Sequence, residues 1–108
     1  MAQYLYRIQP VRPAMLMETP TEEESRIVSE HFNYLETLME KGIVILAGRT
    51  QTSDYSSFGI IIFNTDSDAA ARQVVEDDPA VKNRVFRAEW FPYKIALMQA
   101  GDAQPETD

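Results

Sequence analysis

Phe58-Gly59-Ile60-Ile61-Ile62-Phe63-Asn64 reads as a β-strand that is apolar on both of its faces. One parity carries Phe58, Ile60 and Ile62, and the other carries Gly59, Ile61 and Phe63. Successive strand side chains point to opposite faces, so a strand with one wet face alternates apolar and polar residues. This strand does not alternate, and both of its faces need cover. The run before it, Ile43–Ala47, is also apolar on both parities. Gly48–Ser57, between the two, is polar and reads as a surface loop.

Moving outward, the spacing predicts a helix from Thr21 to about Lys41. Thr21 is placed to cap it, with Glu24 three residues on completing a capping box and Gly42 ending it. Glu22, Glu23 and Glu24 suit the positive end of the helix dipole. Ile27, Val28, Phe32, Leu35, Leu38 and Met39 recur at helical spacing and predict a broad buried face. Tyr4–Gln9, ending at Pro10, reads as a first strand, and Ala14–Met17 is a short apolar stretch with no assigned role. Downstream, Thr65–Asp68 supplies a cap for a second helix, Ala69–Glu76, which stops before Pro79. Val85–Phe91 reads as the last strand, followed by Pro92 and a further extended piece, Tyr93–Met98. In that strand only Arg87 and Glu89 make part of one face polar.

The order strand–helix–strand–strand–helix–strand is the ferredoxin-like α+β plan, an antiparallel sheet with two helices on one face. Two helices leave the other face bare, and the apolar strands say that it is not bare in solution. A second copy packed sheet against sheet is the simplest remedy. Several hundred Å² of extra apolar burial would contribute on the order of 10 kcal/mol before association costs. A homodimer is expected.

The chain has 108 residues, 44% of them hydrophobic and 25% charged, which suits one domain over 1–100. Residues 101–108 are polar, carry Asp102, Glu106 and Asp108, and are expected to form a disordered acidic tail. Ten basic against 17 acidic residues give a net charge of −7, which argues against nucleic acid or an anionic membrane as partner. Without cysteine there is no disulfide, thiolate nucleophile or cysteine-ligated metal. A single histidine excludes zinc sites that need two imidazoles from one chain. Met1–Tyr6 lacks the pattern of a signal peptide, and apolar runs such as Ile60–Phe63 are too short to span a bilayer. A cytoplasmic location is expected.

His31 is the one side chain suited to proton transfer near neutral pH. Ile27, Val28 and Leu35 lie on its side of the helix, so it should face the sheet. A lone histidine there is commonly a core residue bonded to backbone. Asp77 and Asp78 precede Pro79, where an aspartate ordinarily ends a helix and starts a turn. If one of them met His31, it would fix the imidazole tautomer and raise its basicity, as an orienting carboxylate does. Arg49, following Gly48 at a strand end, could hold a carboxylate or phenolate oxygen, although an exposed arginine at a loop start is the ordinary case. Ser53, Ser56 and Ser57 lie outside any nucleophile-elbow pattern. Trp90, Phe91 and Tyr93 suit core or dimer contact better than a pocket wall.

Taken in order, several segments resemble the YciI-like (YCII-related) family. They are His31-Phe32-x-x-Leu35, Gly42-x-x-x-x-Ala47-Gly48, Gly59-Ile60-x-Ile62-Phe63, Asp77-Asp78-Pro79-Ala80-Val81-Lys82 and Val85-Phe86-x-Ala88-Glu89-x-Phe91-Pro92. The resemblance runs from Tyr4 to about Leu97 and implies a dimeric α/β barrel built on the ferredoxin-like plan. It also implies an active site of one histidine and one aspartate, corresponding by position to His31 and Asp78. Relatives include dehydrochlorinating enzymes, and the fold is similar to that of muconolactone isomerases. Two positions depart from the family: Arg49 stands where a proline is usual, and Phe91 where many relatives have a basic residue. Substrate choice is therefore not carried over.

Two readings follow. In the first, the protein is a small lyase or isomerase that needs no cofactor. His31 is its base, Asp78 the orienter, and Arg49 with Gly48 the anchor for a small anionic or phenolic molecule. In the second, it is a non-catalytic dimeric module that binds a small ligand or regulates another protein. A haem-binding reading of His31 would need a much larger pocket.

Overall fold

A computed structural model describes residues 1–101 and Pro105. The elements are β1 (Ala2–Pro10), α1 (Ala14–Met17), α2 (Glu22–Glu40), β2 (Val44–Arg49), β3 (Gly59–Thr65), α3 (Asp68–Asp77), α4 (Pro79–Lys82) and β4 (Phe86–Tyr93). The four strands form one antiparallel sheet in the order β2-β3-β1-β4, and the helices cover one face, so the α+β ferredoxin-like plan holds. Apart from Gly101 and Pro105, the expected tail lies outside the described residues. No helix among the described residues is long and apolar enough to cross a membrane.

The main core lies between the helices and the sheet. β1 contributes Tyr4, Tyr6 and Ile8, β3 contributes Ile61 and Phe63, and α2 contributes Leu35 and Leu38. Ala71 and Val75 of α3 close it, and Trp90 packs against it, so the tryptophan is a core residue. A second cluster joins Met15, Ile27, Ala80 and Val85, with Leu16 and Phe86 against it. The Ala14–Met17 stretch thus has a role as a one-turn helix that plugs the end of the core.

Helix α2 begins as its sequence dictates. Glu24 N–H donates to Thr21 Oγ1 at 3.0 Å, and Thr21 N–H donates to Glu24 Oε1 at 2.8 Å, a full capping box. Arg12 adds a two-pronged ion pair to the Glu24 carboxylate at 2.6 and 2.9 Å, and donates to the Thr19 carbonyl. These bonds tie the strap 11–20 to the helix start. The helix ends in a Schellman motif, with Gly42 at φ +77° and bonds from Gly42 N–H to Met39 O and Ile43 N–H to Leu38 O. Its buried stripe is narrower than expected: Ile27, His31, Leu35 and Leu38 are buried. Phe32 and Met39 are exposed, because a single stripe at 3–4 residue spacing fills the space above the sheet.

Other differences are local. β2 starts one residue later than expected and reaches Arg49, and it carries a bulge between Val44 and Leu46. β4 runs through Pro92, which an edge strand tolerates. Tyr93 ends β4, and the described residues beyond it form no regular strand; Ile95 N–H donates to Gln3 Oε1. The turn after α3 contains the unforeseen helix α4. It ends with Arg84 at φ +59°, and Val85 N–H bonds to Ala80 O to repeat the Schellman pattern.

The Arg12 guanidinium and the Thr21 N–H hold the Glu24 carboxyl down to about 2, from an ordinary value of 4.5. A depressed carboxyl contributes stability that is present above its unfolded value and lost as pH falls through the folded one. Glu24→Gln keeps the acceptor but not the charge. Urea unfolding should therefore find it less stable than the native chain at neutral pH. The gap should be constant down to about pH 5 and close as pH falls from 4.5 towards 2.

Candidate active site

Three separate stretches of chain meet at one carboxylate. Asp78 is fully buried, ends α3 and caps α4, with its Oδ1 accepting from Ala80 N–H at 2.9 Å. Pro79 at the first position of α4 has no N–H to satisfy, so Asp-Pro is a natural start for this single turn. His31 comes from the buried stripe of α2, and its Nδ1 lies 2.8 Å from Oδ1 and 2.7 Å from Oδ2. Tyr6, pointing inward from β1, donates its hydroxyl to Oδ2 at 2.8 Å. Asp77 is not the partner; it faces outward and accepts from Gln73 at 2.7 Å.

An ionised carboxylate only accepts, so the proton between His31 and Asp78 belongs on Nδ1. In the neutral ring the lone pair is then on Nε2. This atom has no hydrogen-bond partner among the described residues and is not sealed from solvent. The ring stands edge-on to Phe86, with centroids 5.3 Å apart at 84°. Burial, and then the negative charge of Asp78, push the Tyr6 phenol far above its ordinary range, so it remains a donor. Tyr34, a second tyrosine of this layer, donates to the Val74 carbonyl at 2.6 Å and is raised by burial first.

His31 lines a cavity of about 320 Å³, within the range of small-molecule sites. Its walls are mostly apolar: Ile8, Leu16, Val28, Leu35 and Phe86, with the exposed Phe32 at the rim. The polar groups are His31 on one side and Arg49, Thr50 and Ser57 on the other. Arg49 has no hydrogen-bond or ion-pair partner among the described residues. Its cross-strand neighbour is Gly59, so no side chain stands opposite it. A Cβ at Gly59 would come within 3.0 Å of Ile8 Cγ1 and 3.2 Å of the Gly48 carbonyl oxygen. Gly48 is uncrowded and contributes backbone only.

The bulge in β2 decides which way Arg49 faces. Val44 pairs with Phe63 on the helix-covered side, and strict alternation would send residue 49 to the opposite face. The extra residue resets the alternation, so Ala47 and Arg49 join the cavity side and Leu46 turns to the uncovered face. The rim loop 50–58 is held by a chain of hydroxyls. Phe58 N–H donates to Thr50 Oγ1, Thr50 lies 3.0 Å from Thr52, and Thr52 lies 2.8 Å from Ser57. Ser57 donates onward to the Thr52 carbonyl at 2.6 Å, which fixes the direction of every bond and leaves no hydroxyl hydrogen free.

Of the sequence candidates, His31 and Asp78 are in contact, and Arg49 and Gly48 share the cavity with His31. Tyr6 and the hydroxyls of Thr50 and Ser57 were missed. Tyr6 had a signal: alternation with Tyr4 and Ile8 turns it inward, and a buried tyrosine hydroxyl needs a partner. The hydroxyl chain has no signal in a polar loop. Among the described residues no three His, Asp or Glu side chains converge as metal ligands.

Among solved structures, the chain resembles the 5-chloro-2-hydroxyhydroquinone dehydrochlorinase of Burkholderia phenoliruptrix AC1100, solved with 2,5-dihydroxybenzoquinone. Identity is 22%, the TM-score is 0.63, and the match covers 85% of this chain and 93% of that one. An uncharacterized protein of Thermotoga maritima matches at 14% identity and a TM-score of 0.49, over 85% of this chain and 95% of that one. No curated protein matches the sequence. The first of these likenesses bears on the fold alone. The profile of the YCII-related domain matches residues 4–92, and the chain belongs to that family.

Proposed function

We propose that the protein is a small enzyme that moves protons on a small phenolic or anionic molecule, in an elimination or isomerisation. One observation carries the reading: the only imidazole of the chain rests Nδ1 on a buried carboxylate at 2.7 Å and lines a cavity of about 320 Å³. Asp78 holds the ring in the tautomer whose Nε2 can take a proton, and stabilises the imidazolium that results. A substrate proton acidified by a neighbouring carbonyl or ring is the natural target. Arg49, without a partner among the described residues and at the rim of a chain whose net charge is −7, offers a guanidinium for a phenolate or carboxylate oxygen, with the Gly48 backbone beside it. Nucleophilic catalysis by Ser57 is disfavoured, since its hydrogen is committed to the Thr52 carbonyl. The neighbour of like fold, a dehydrochlorinase bound to a dihydroxyquinone, supports a ring of this size and polarity as ligand.

The uncovered sheet face supports a homodimer. Leu46, Ile62, Leu5 and Phe91 lie side by side on that face, one from each strand, as a continuous apolar row. Leu46 is 44% exposed and Phe91 47%. On one side of the row Arg7 and Glu89 pair at 2.8 Å, and on the other lie Gln3 and Asn64, giving an apolar centre with a polar rim.

Two measurements test these readings. Chloride release from chlorinated hydroxyhydroquinones, with deuterium exchange into non-chlorinated ones as a second assay, should be seen with the native chain. It should fall about 100-fold or more in His31→Gln, which keeps a donor for Asp78. Turnover that survives in His31→Gln overturns the assignment of the base. If the native chain shows neither turnover nor a thermal shift with any of these compounds, the enzyme reading gives way to a binding module for another ligand. In sedimentation equilibrium the native chain should have twice the 12.3 kDa chain mass and Phe91→Glu should be monomeric; a monomeric native chain refutes the dimer.

A further inference from the structure

We propose that Tyr6 is a positioning residue of the candidate site: through Asp78 Oδ2, its hydroxyl holds the carboxylate in the orientation that fixes the His31 ring. This inference rests on His31 being the base and adds to it a residue that no ligand would touch. Asp78 is shared between two tasks. Its Oδ1 caps α4, and its two oxygens together receive His31 Nδ1. The terminal torsion of an aspartate is broad, so a carboxylate held only at Oδ1 could turn about that bond and carry the imidazole with it. A donor on Oδ2 removes the freedom, and Tyr6 is the residue that supplies it.

The phenol is well built for this. Tyr6 is fully buried and its ring stands edge-on to Phe63 at 82°, with centroids 5.7 Å apart, so the hydroxyl cannot swing away. It comes from β1, one of the two inner strands of the sheet, bonded to β3 on one side and β4 on the other. It does not line the cavity. Any influence on a bound molecule therefore passes through Asp78 and His31.

The chain has one histidine, so its imidazole ¹⁵N signals are unambiguous. In the native chain the neutral ring should be the Nδ1–H tautomer, with slow exchange of that proton. Tyr6→Phe should speed exchange at Nδ1 by about tenfold and raise the share of the Nε2–H tautomer. Tyr34→Phe is the control: it deletes another tyrosine hydroxyl from the same layer, and should change the melting temperature but not the imidazole signals. Incorporating 3-fluorotyrosine makes the phenol a stronger donor without removing it, and should shift the imidazole signals opposite to Tyr6→Phe. Native tautomer and exchange in Tyr6→Phe overturn the proposal, as does an equal perturbation by Tyr34→Phe. If Tyr6→Phe does not fold, the fluorotyrosine protein decides, and unchanged imidazole signals there overturn it. These signals do not require turnover, so they separate failure of this inference from failure of the enzyme reading.

Discussion

A carboxylate withdrawn from water must be met by donors on all sides, and Asp78 makes that demand on the whole fold. Burying an unmet anion would cost several kcal/mol, a large share of the stability of a small domain. The donors come from residues 72 and 47 positions earlier in the chain and from the turn that follows, so strand, long helix and short helix must all be in place before the anion is satisfied. The same three bonds align the imidazole. Stability and preorganisation of the site are thus one constraint, and a substitution at Asp78 acts on both.

The rest of the cavity depends on how the backbone is bent around that fixed point. Strap 11–20 carries Leu16 into one wall, and the Arg12–Glu24 ion pair holds the strap against α2. On the far side, the β2 bulge and Gly59 determine that a cation reaches the cavity and that its mouth stays open. The hydroxyl chain through Thr50, Thr52 and Ser57 then stiffens the rim. Together these devices set apolar walls on one side of the cavity and a cation with polar hydroxyls on the other.

Much of this was legible in the residues. Period-2 and period-3.6 patterns give the order of the main elements, and the capping box at Thr21 and Glu24 and the stop at Gly42 needed only local chemistry. The apolar doubling of Phe58–Phe63 correctly foretold a sheet whose two faces are both greasy. What escaped was non-local or one residue deep. A bulge leaves no compositional mark in Val44-Ile45-Leu46, yet it reverses the side on which Arg49 emerges. Phe32 and Met39 fit the periodic pattern but lie at the edges of the stripe, where the sheet ends and solvent begins. Its local residues alone read Asp78 as an ordinary helix stop, because capping a helix and meeting a histidine use the same side chain; the family resemblance pointed to His31 as its partner, and the fold brings the two into contact.

The composition itself narrows the chemistry that such a site can perform. With no cysteine and the rim hydroxyls committed within their loop, covalent attack has few candidates, while a histidine backed by a buried aspartate remains free to exchange a proton. Base catalysis without a nucleophile works only if the substrate brings its own electron sink, a carbonyl or an electron-poor ring next to the proton that is lost. On the proposed reading, the apolar walls would take a flat body and Arg49 the charge at one end of it. The electron sink of such a molecule would acidify the proton to be lost, and one well-oriented imidazole would be enough to take it.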